Sequence, residues 1–302
     1  MTAGSVANRG MIRNLKPIAA AFMVVLSLAL PCGALELAGF KDEQFAYPGY
    51  IGDASDPLDL TIDYQQMRDI NARDAVPELR VKSAWISTGV RSKARDMKIE
   101  TPIGVLRAIA AGKPEGATFI VVFLHGKGGT RELGQNDLHF GGNFNRIRNL
   151  AVKNGGVYVT PDFSDFGDKG AAEVSAITQV FLAAAPQAKL VLACGSMGGF
   201  VCHRLVQDPA IASRLSGVAF LGSFPDDAFA GSSPVKHGMP VFIGHGTNDK
   251  TSPIAAMEAF AKQLRVNGGG NNVMFHRFNT GTHGTPVRMS DWRMMLNWMF
   301  SR

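Results

Sequence analysis

The chain has 302 residues, 46% hydrophobic and 19% charged, the ordinary make-up of a globular protein, which excludes a disordered, collagenous or disulfide-scaffold chain. That length holds one large α/β domain, or two small ones. The formal charge of +6 does not call for nucleic acid: Arg9, Arg13 and Lys16 supply half of it, from a stretch without acids, and no basic run is interleaved with aromatics.

Those three basic residues open what reads as a secretory signal. Ile18 to Leu30 is an apolar stretch shorter than the roughly 20 residues that span a bilayer. Pro31 breaks it, and Cys32-Gly33-Ala34 places small residues where a signal peptidase cuts. Cleavage is expected after Ala34, with delivery to the periplasm or the medium and no stable membrane anchor afterwards. Residues 35–80 follow as an irregular arm punctuated by Pro48, Gly49, Gly52 and Pro57, with room for one short helix between Leu60 and Ala75. The arm is expected to be structural, packed on a main domain of residues 81–302.

From Val81 the pattern becomes regular. Short strands are expected over Val81–Ser87, Met97–Thr101 and Gly104–Ala110, the last two forming an antiparallel pair at one sheet edge. Phe119–Leu124 (FIVVFL) and Leu190–Cys194 (LVLAC) are continuous apolar runs, as in strands buried on both faces. Further strands are expected at Val157–Thr160, Val218–Leu221, Val241–Ile243 and Val273–Phe278. Helices are expected at 143–153, 171–184, 197–207, 254–264 and 291–300. Alternating strands and helices imply an α/β fold with a mostly parallel sheet and helices on both faces. Ligands then bind beyond the carboxyl ends of the strands.

Four loops at those ends carry the chemistry. After LVLAC comes Cys194-Gly195-Ser196-Met197-Gly198-Gly199, a sharp strand-to-helix turn that would lift the Ser196 hydroxyl above the sheet. Cys194 stands where the G-x-S-x-G pattern has its first glycine. After FIVVFL comes His125-Gly126-Lys127-Gly128-Gly129, whose bend aims backbone N–H groups at the nucleophile. The N–H groups of Met197 and Lys127 are the expected oxyanion donors, with Gly128 as substitute for Lys127. The third loop ends in Asp249, and the fourth, Gly281-Thr282-His283-Gly284, offers His283 as general base. Asp226 and Asp227 are rival acids. His125 and His245 are read as structural, and His139, His203, His237 and His276 as solvent-exposed or structural. No His/Cys/Asp cluster has zinc spacing, so neither metal nor organic cofactor is expected. The strand–turn–helix is expected to hold Cys194 and Cys202 too far apart to pair, leaving two buried thiols.

Ser, Asp and His in this order, each after its own strand and behind a glycine-rich loop, resemble the α/β-hydrolase superfamily, with a flavour of dienelactone hydrolases and carboxylesterases. The matching motifs are HGKGG at 125–129, CGSMGG at 194–199, GHGTND at 244–249 and GTHG at 281–284. The resemblance covers roughly residues 100–302. It implies an α/β-hydrolase fold, a triad of Ser196, Asp249 and His283, and hydrolysis of a small-molecule ester or thioester-like bond through an acyl-enzyme. The short stretch between Val218–Leu221 and Val241 leaves little or no cap, and Phe163 and Phe166 are candidates to line the cleft. A serine peptidase of the same fold, or a non-catalytic binding protein retaining it, are the other readings.

Overall fold

The computed structural model describes residues 1–2, 35–75 and 80–302; the expected signal segment and its cleavage point lie outside the described residues. The described residues from 35 to 302 form one compact unit. At its centre is a nine-stranded sheet: β1 Asp59–Ile62, β2 Ala94–Thr101, β3 Gly104–Ala111, β4 Phe119–Leu124, β5 Val157–Pro161, β6 Lys189–Gly195, β7 Leu215–Leu221, β8 Val241–Gly246 and β9 Val273–Phe278. Their order is β1-β9-β8-β7-β6-β4-β5-β3-β2. Pairing is parallel throughout except where β3 meets β2 and β5.

The uninterrupted apolar runs explain the layering. Successive side chains of a strand point to opposite faces. Ile120, Val122 and Leu124 of β4 enter one core, and Phe119, Val121 and Phe123 the other. The first core is closed by helices α3 (Asp168–Ala184), α4 (Gly198–Leu205) and α5 (Ile254–Gly268), the second by α2 (Asn143–Lys153) and α7 (Trp292–Phe300). A hydrophobic stripe therefore faces the sheet from each side, as a buried parallel sheet requires.

Three expectations change. Val81–Ser87 is not a strand: a two-residue bridge at Arg80–Val81 gives way to 3-10 turns at Ser83–Trp85 and Thr88–Lys93. The arm does hold a helix, α1 (Gln66–Arg73), but it also supplies β1, which pairs with β9 in register Asp59–Phe275 to Ile62–Phe278 and makes the sheet edge. Cys194 and Cys202 are joined in a disulfide, with Cα atoms 6.5 Å apart. The helix α4 folds back along the strand it follows, so residues expected to diverge lie within bridging distance. The arm is also tied down by charge: Arg146, fully buried on α2, meets Asp42 at 3.1 Å and Asp291 at 3.0 Å.

Candidate active site

The carboxyl ends of β4, β6, β8 and β9 meet at one rim. Between β6 and α4, Ser196 has φ 50°, a left-handed conformation that a non-glycine residue adopts at a cost of about 1–3 kcal/mol. Crowding forces it. A Cβ on Gly198 would lie 2.4 Å from the Leu124 carbonyl, and one on Gly126 would lie 2.8 Å from Ser196 Cβ. The turn is pinned through the Ser196 carbonyl, which accepts from Gly199 N–H at 3.0 Å and from the Ser223 hydroxyl at 2.8 Å.

The hydroxyl so raised donates to His283 Nε2 at 2.7 Å, and His283 Nδ1–H donates to Asp249 Oδ2 at 2.7 Å. The Asp249 side chain is fully buried, whereas His283 keeps 28% of its side chain exposed. A buried carboxylate must be hydrogen-bonded, and Asp249 is: its Oδ1 accepts from Thr251 N–H at 2.8 Å and Ser252 N–H at 3.0 Å. The loops of Asp249 and His283 are stitched together by Asn248 N–H to Gly281 O (2.8 Å) and Thr280 N–H to Thr247 Oγ1 (2.8 Å).

The structure thus brings Ser196, His283 and Asp249 together and leaves the rival acids elsewhere. Asp226 caps the short helix Asp227–Ala230, accepting from Phe229 N–H at 2.6 Å. The other buried histidines lie outside this relay. His245 lies behind Asp249, its Nε2 2.7 Å from Ser252 O and 3.4 Å from Asp249 Oδ2, and burial lowers its pKa. His125 holds the Gly126 carbonyl at 2.9 Å, and burial lowers its pKa too. Burial pushes His203 and His276 down to about 4.

A cavity of about 410 Å³ opens at Ser196. Met197 and Lys127 line it beside Ser196 and His283, and among the described residues the N–H of neither donates to a protein acceptor. Its remaining wall is largely apolar, with Phe123, Leu133, Phe140, Phe144, Phe224 and Val287. Phe163 and Phe166 are not in that wall. Phe163 instead stacks on the His125 ring at 4.3 Å, and both pack against the core behind it. Sequence reasoning missed the real lining because Phe123 and Phe144 read as ordinary core positions and Phe140 sits in an unpatterned loop. Among the described residues no group of three or more His, Cys, Asp or Glu is arranged to hold a metal ion.

No protein-family model and no curated protein matches the chain. Solved structures do. A putative α/β hydrolase of unknown function from Agrobacterium tumefaciens superimposes with TM-score 0.53 at 15% identity, over 67% of this chain and 93% of its own. An α/β serine hydrolase without a lid from Xanthomonas campestris gives 0.50 at 16%, over 69% and 94%. The chain has the α/β-hydrolase fold. An esterase from Pyrococcus furiosus adds to the set, with TM-score 0.52 at 14% identity over 75% and 97% of the two chains. Within this hydrolase fold the segment between β7 and β8 carries only two four-residue helices, Asp227–Ala230 and Ser233–Lys236. That leaves little or no cap over the cleft.

Proposed function

We propose that the protein is a serine hydrolase that cleaves a carboxylic ester through an acyl-enzyme on Ser196. The observation that supports this most is the relay from the Ser196 hydroxyl through His283 to the buried Asp249, standing at the mouth of an apolar cavity. In this reading Ser196 Oγ attacks the ester carbonyl while His283 Nε2 takes its proton. Asp249 holds the imidazole in the tautomer that presents Nε2 and stabilises the imidazolium. The carbonyl oxygen, now negative, is held by the free N–H groups of Met197 and Lys127. His283 returns its proton to the departing alcohol, then accepts one from water, which cleaves the acyl-enzyme and regenerates Ser196. The proton relay needs no rearrangement, since Ser196, His283 and Asp249 already stand within hydrogen-bond reach of one another.

The same reading puts the enzyme in the periplasm or the medium, after loss of residues 1–34. The Cys194–Cys202 disulfide supports it, since such bonds persist in oxidising compartments and are rare in the cytosol. Purified residues 35–302 should hydrolyse p-nitrophenyl esters of short to medium acids, and Ser196→Ala should lose about 10⁴-fold or more of kcat. Hydrolysis of aminoacyl anilides in preference to esters would favour the peptidase reading. Turnover of neither, with tight binding of an ester analogue, would favour the binding protein.

A further inference from the structure

Phe140 stands out among the cavity residues. It opens a left-handed turn, Phe140–Gly142, whose three residues have φ 49°, 58° and 75° in succession. A bulky side chain is rare in that region and is kept there only when its surroundings over-determine it. Its ring meets Phe144 edge-on at 5.5 Å, and one ring carbon lies 3.4 Å from where a Cβ on Gly284 would be, next to His283. Phe140 is therefore a wall of the cavity, beside the histidine.

The turn is gripped from behind by the N-terminal arm. Arg73, at the end of α1 and only 3% exposed, donates to the Arg288 carbonyl at 2.8 Å. Arg288, on the helix α6 (Thr285–Met289) that follows His283, pairs with the buried Asp74 at 2.6 Å. A Cβ on Gly141 would lie 3.0 Å from Arg73 Cδ and 3.1 Å from Arg288 Nη1, so this pair of arginines sits directly against the turn. The Leu138 carbonyl, just before it, accepts from Val81 N–H at 2.9 Å.

We propose that Phe140 sets the size of the apolar group this site accepts, and that Arg73 and Asp74 of the arm position it. The substrate class is then an ester whose apolar part, acyl or aryl, is limited in length by the Phe140 ring. Longer chains are refused by the Phe140 ring and not by a lid. This inference rests on the esterase reading and refines it.

The test is a chain-length series, run as p-nitrophenyl acyl esters and as n-alkyl acetates, on wild type, Phe140→Ala and Arg73→Ala. Phe140→Ala should raise kcat/KM for long members relative to short ones by tenfold or more, moving the optimum to longer chains in the series that wild type discriminates. Arg73→Ala should blunt the wild-type optimum through KM, leaving kcat for the shortest ester within about twofold. Ratios within a series do not depend on the fraction of folded enzyme, so a merely destabilised variant would keep the wild-type profile. A turnover-free arm uses Ser196→Ala protein and straight-chain alcohols in calorimetry. Affinity should rise about fourfold per added methylene until the Phe140 wall is reached, and further along the series in Ser196→Ala/Phe140→Ala. Unchanged profiles in both assays would overturn the proposal, whereas inactivity of wild type together with the expected alcohol series would overturn only the esterase reading.

Discussion

At Ser196 the backbone and the side chain answer to different demands. The left-handed φ is unfavourable for the residue, yet it is the conformation that lifts Oγ to within 2.7 Å of His283. The cost is carried by neighbours small enough to let strand, helix and loop cross. Gly126→Ala tests this directly, because its new Cβ would lie 2.8 Å from Ser196 Cβ. Pushing the serine aside should lower kcat/KM about 100-fold, the scale of an ångström-level misplacement, while circular dichroism stays native. Gly89→Ala, which meets nothing within 4 Å, is the matched control and should retain activity. The three residues that the structure brings together were legible in sequence because each follows from a local pattern. Ser196, Asp249 and His283 each sit in a glycine-flanked loop just past an apolar run. The cavity wall was illegible for the opposite reason: Phe140 reaches it through a turn whose shape is dictated by Arg73 and Arg288, more than 60 residues away in either direction.

Among the elements, β4 and β6 were readable because a strand buried on both faces needs an unbroken apolar run, and FIVVFL and LVLAC are such runs. The four-residue β1 shows no such signal. Its partner β9 is over 200 residues distant, and only Leu60 and Ile62 face a core. The disulfide is not legible in the spacing because a strand–turn–helix reads as diverging from the serine turn, whereas α4 returns antiparallel along β6. That bond staples the two elements flanking Ser196. Closing a loop of this length is worth about 2–3 kcal/mol in the chain-entropy account. The double variant Cys194→Ala/Cys202→Ala should therefore unfold several degrees lower. Denatured but unreduced wild-type residues 35–302 should titrate no free thiol, and two free thiols would contradict the pairing.

For the molecule as a whole, the arm is part of the sheet and part of its pH response. His276 on β9 is wholly buried between arm residues: its Nε2–H donates to the Pro57 carbonyl at 3.1 Å, and its Nδ1 accepts from the Tyr47 hydroxyl at 2.9 Å. Burial lowers its pKa from 6.5 to about 4. Above pH 6.5 the imidazole is neutral folded or unfolded, and the full stability is present. Between pH 6.5 and 4 the unfolded chain takes up a proton that the folded site refuses, so stability falls with pH, by an amount on the order of 3 kcal/mol. The unfolding midpoint of wild type should drop across that window, and His276→Gln, which cannot charge, should drop less. An equal drop in both would remove His276 as the cause.

Whether one rim of this sheet carries a working nucleophile can be read with a covalent probe. Purified residues 35–302 treated with a fluorophosphonate and digested for mass spectrometry should carry one adduct, on Ser196, absent from Ser196→Ala and slowed at least 100-fold in His283→Ala. A wild-type protein that stays unlabelled, or is labelled at another serine, would rule out Ser196 as the nucleophile.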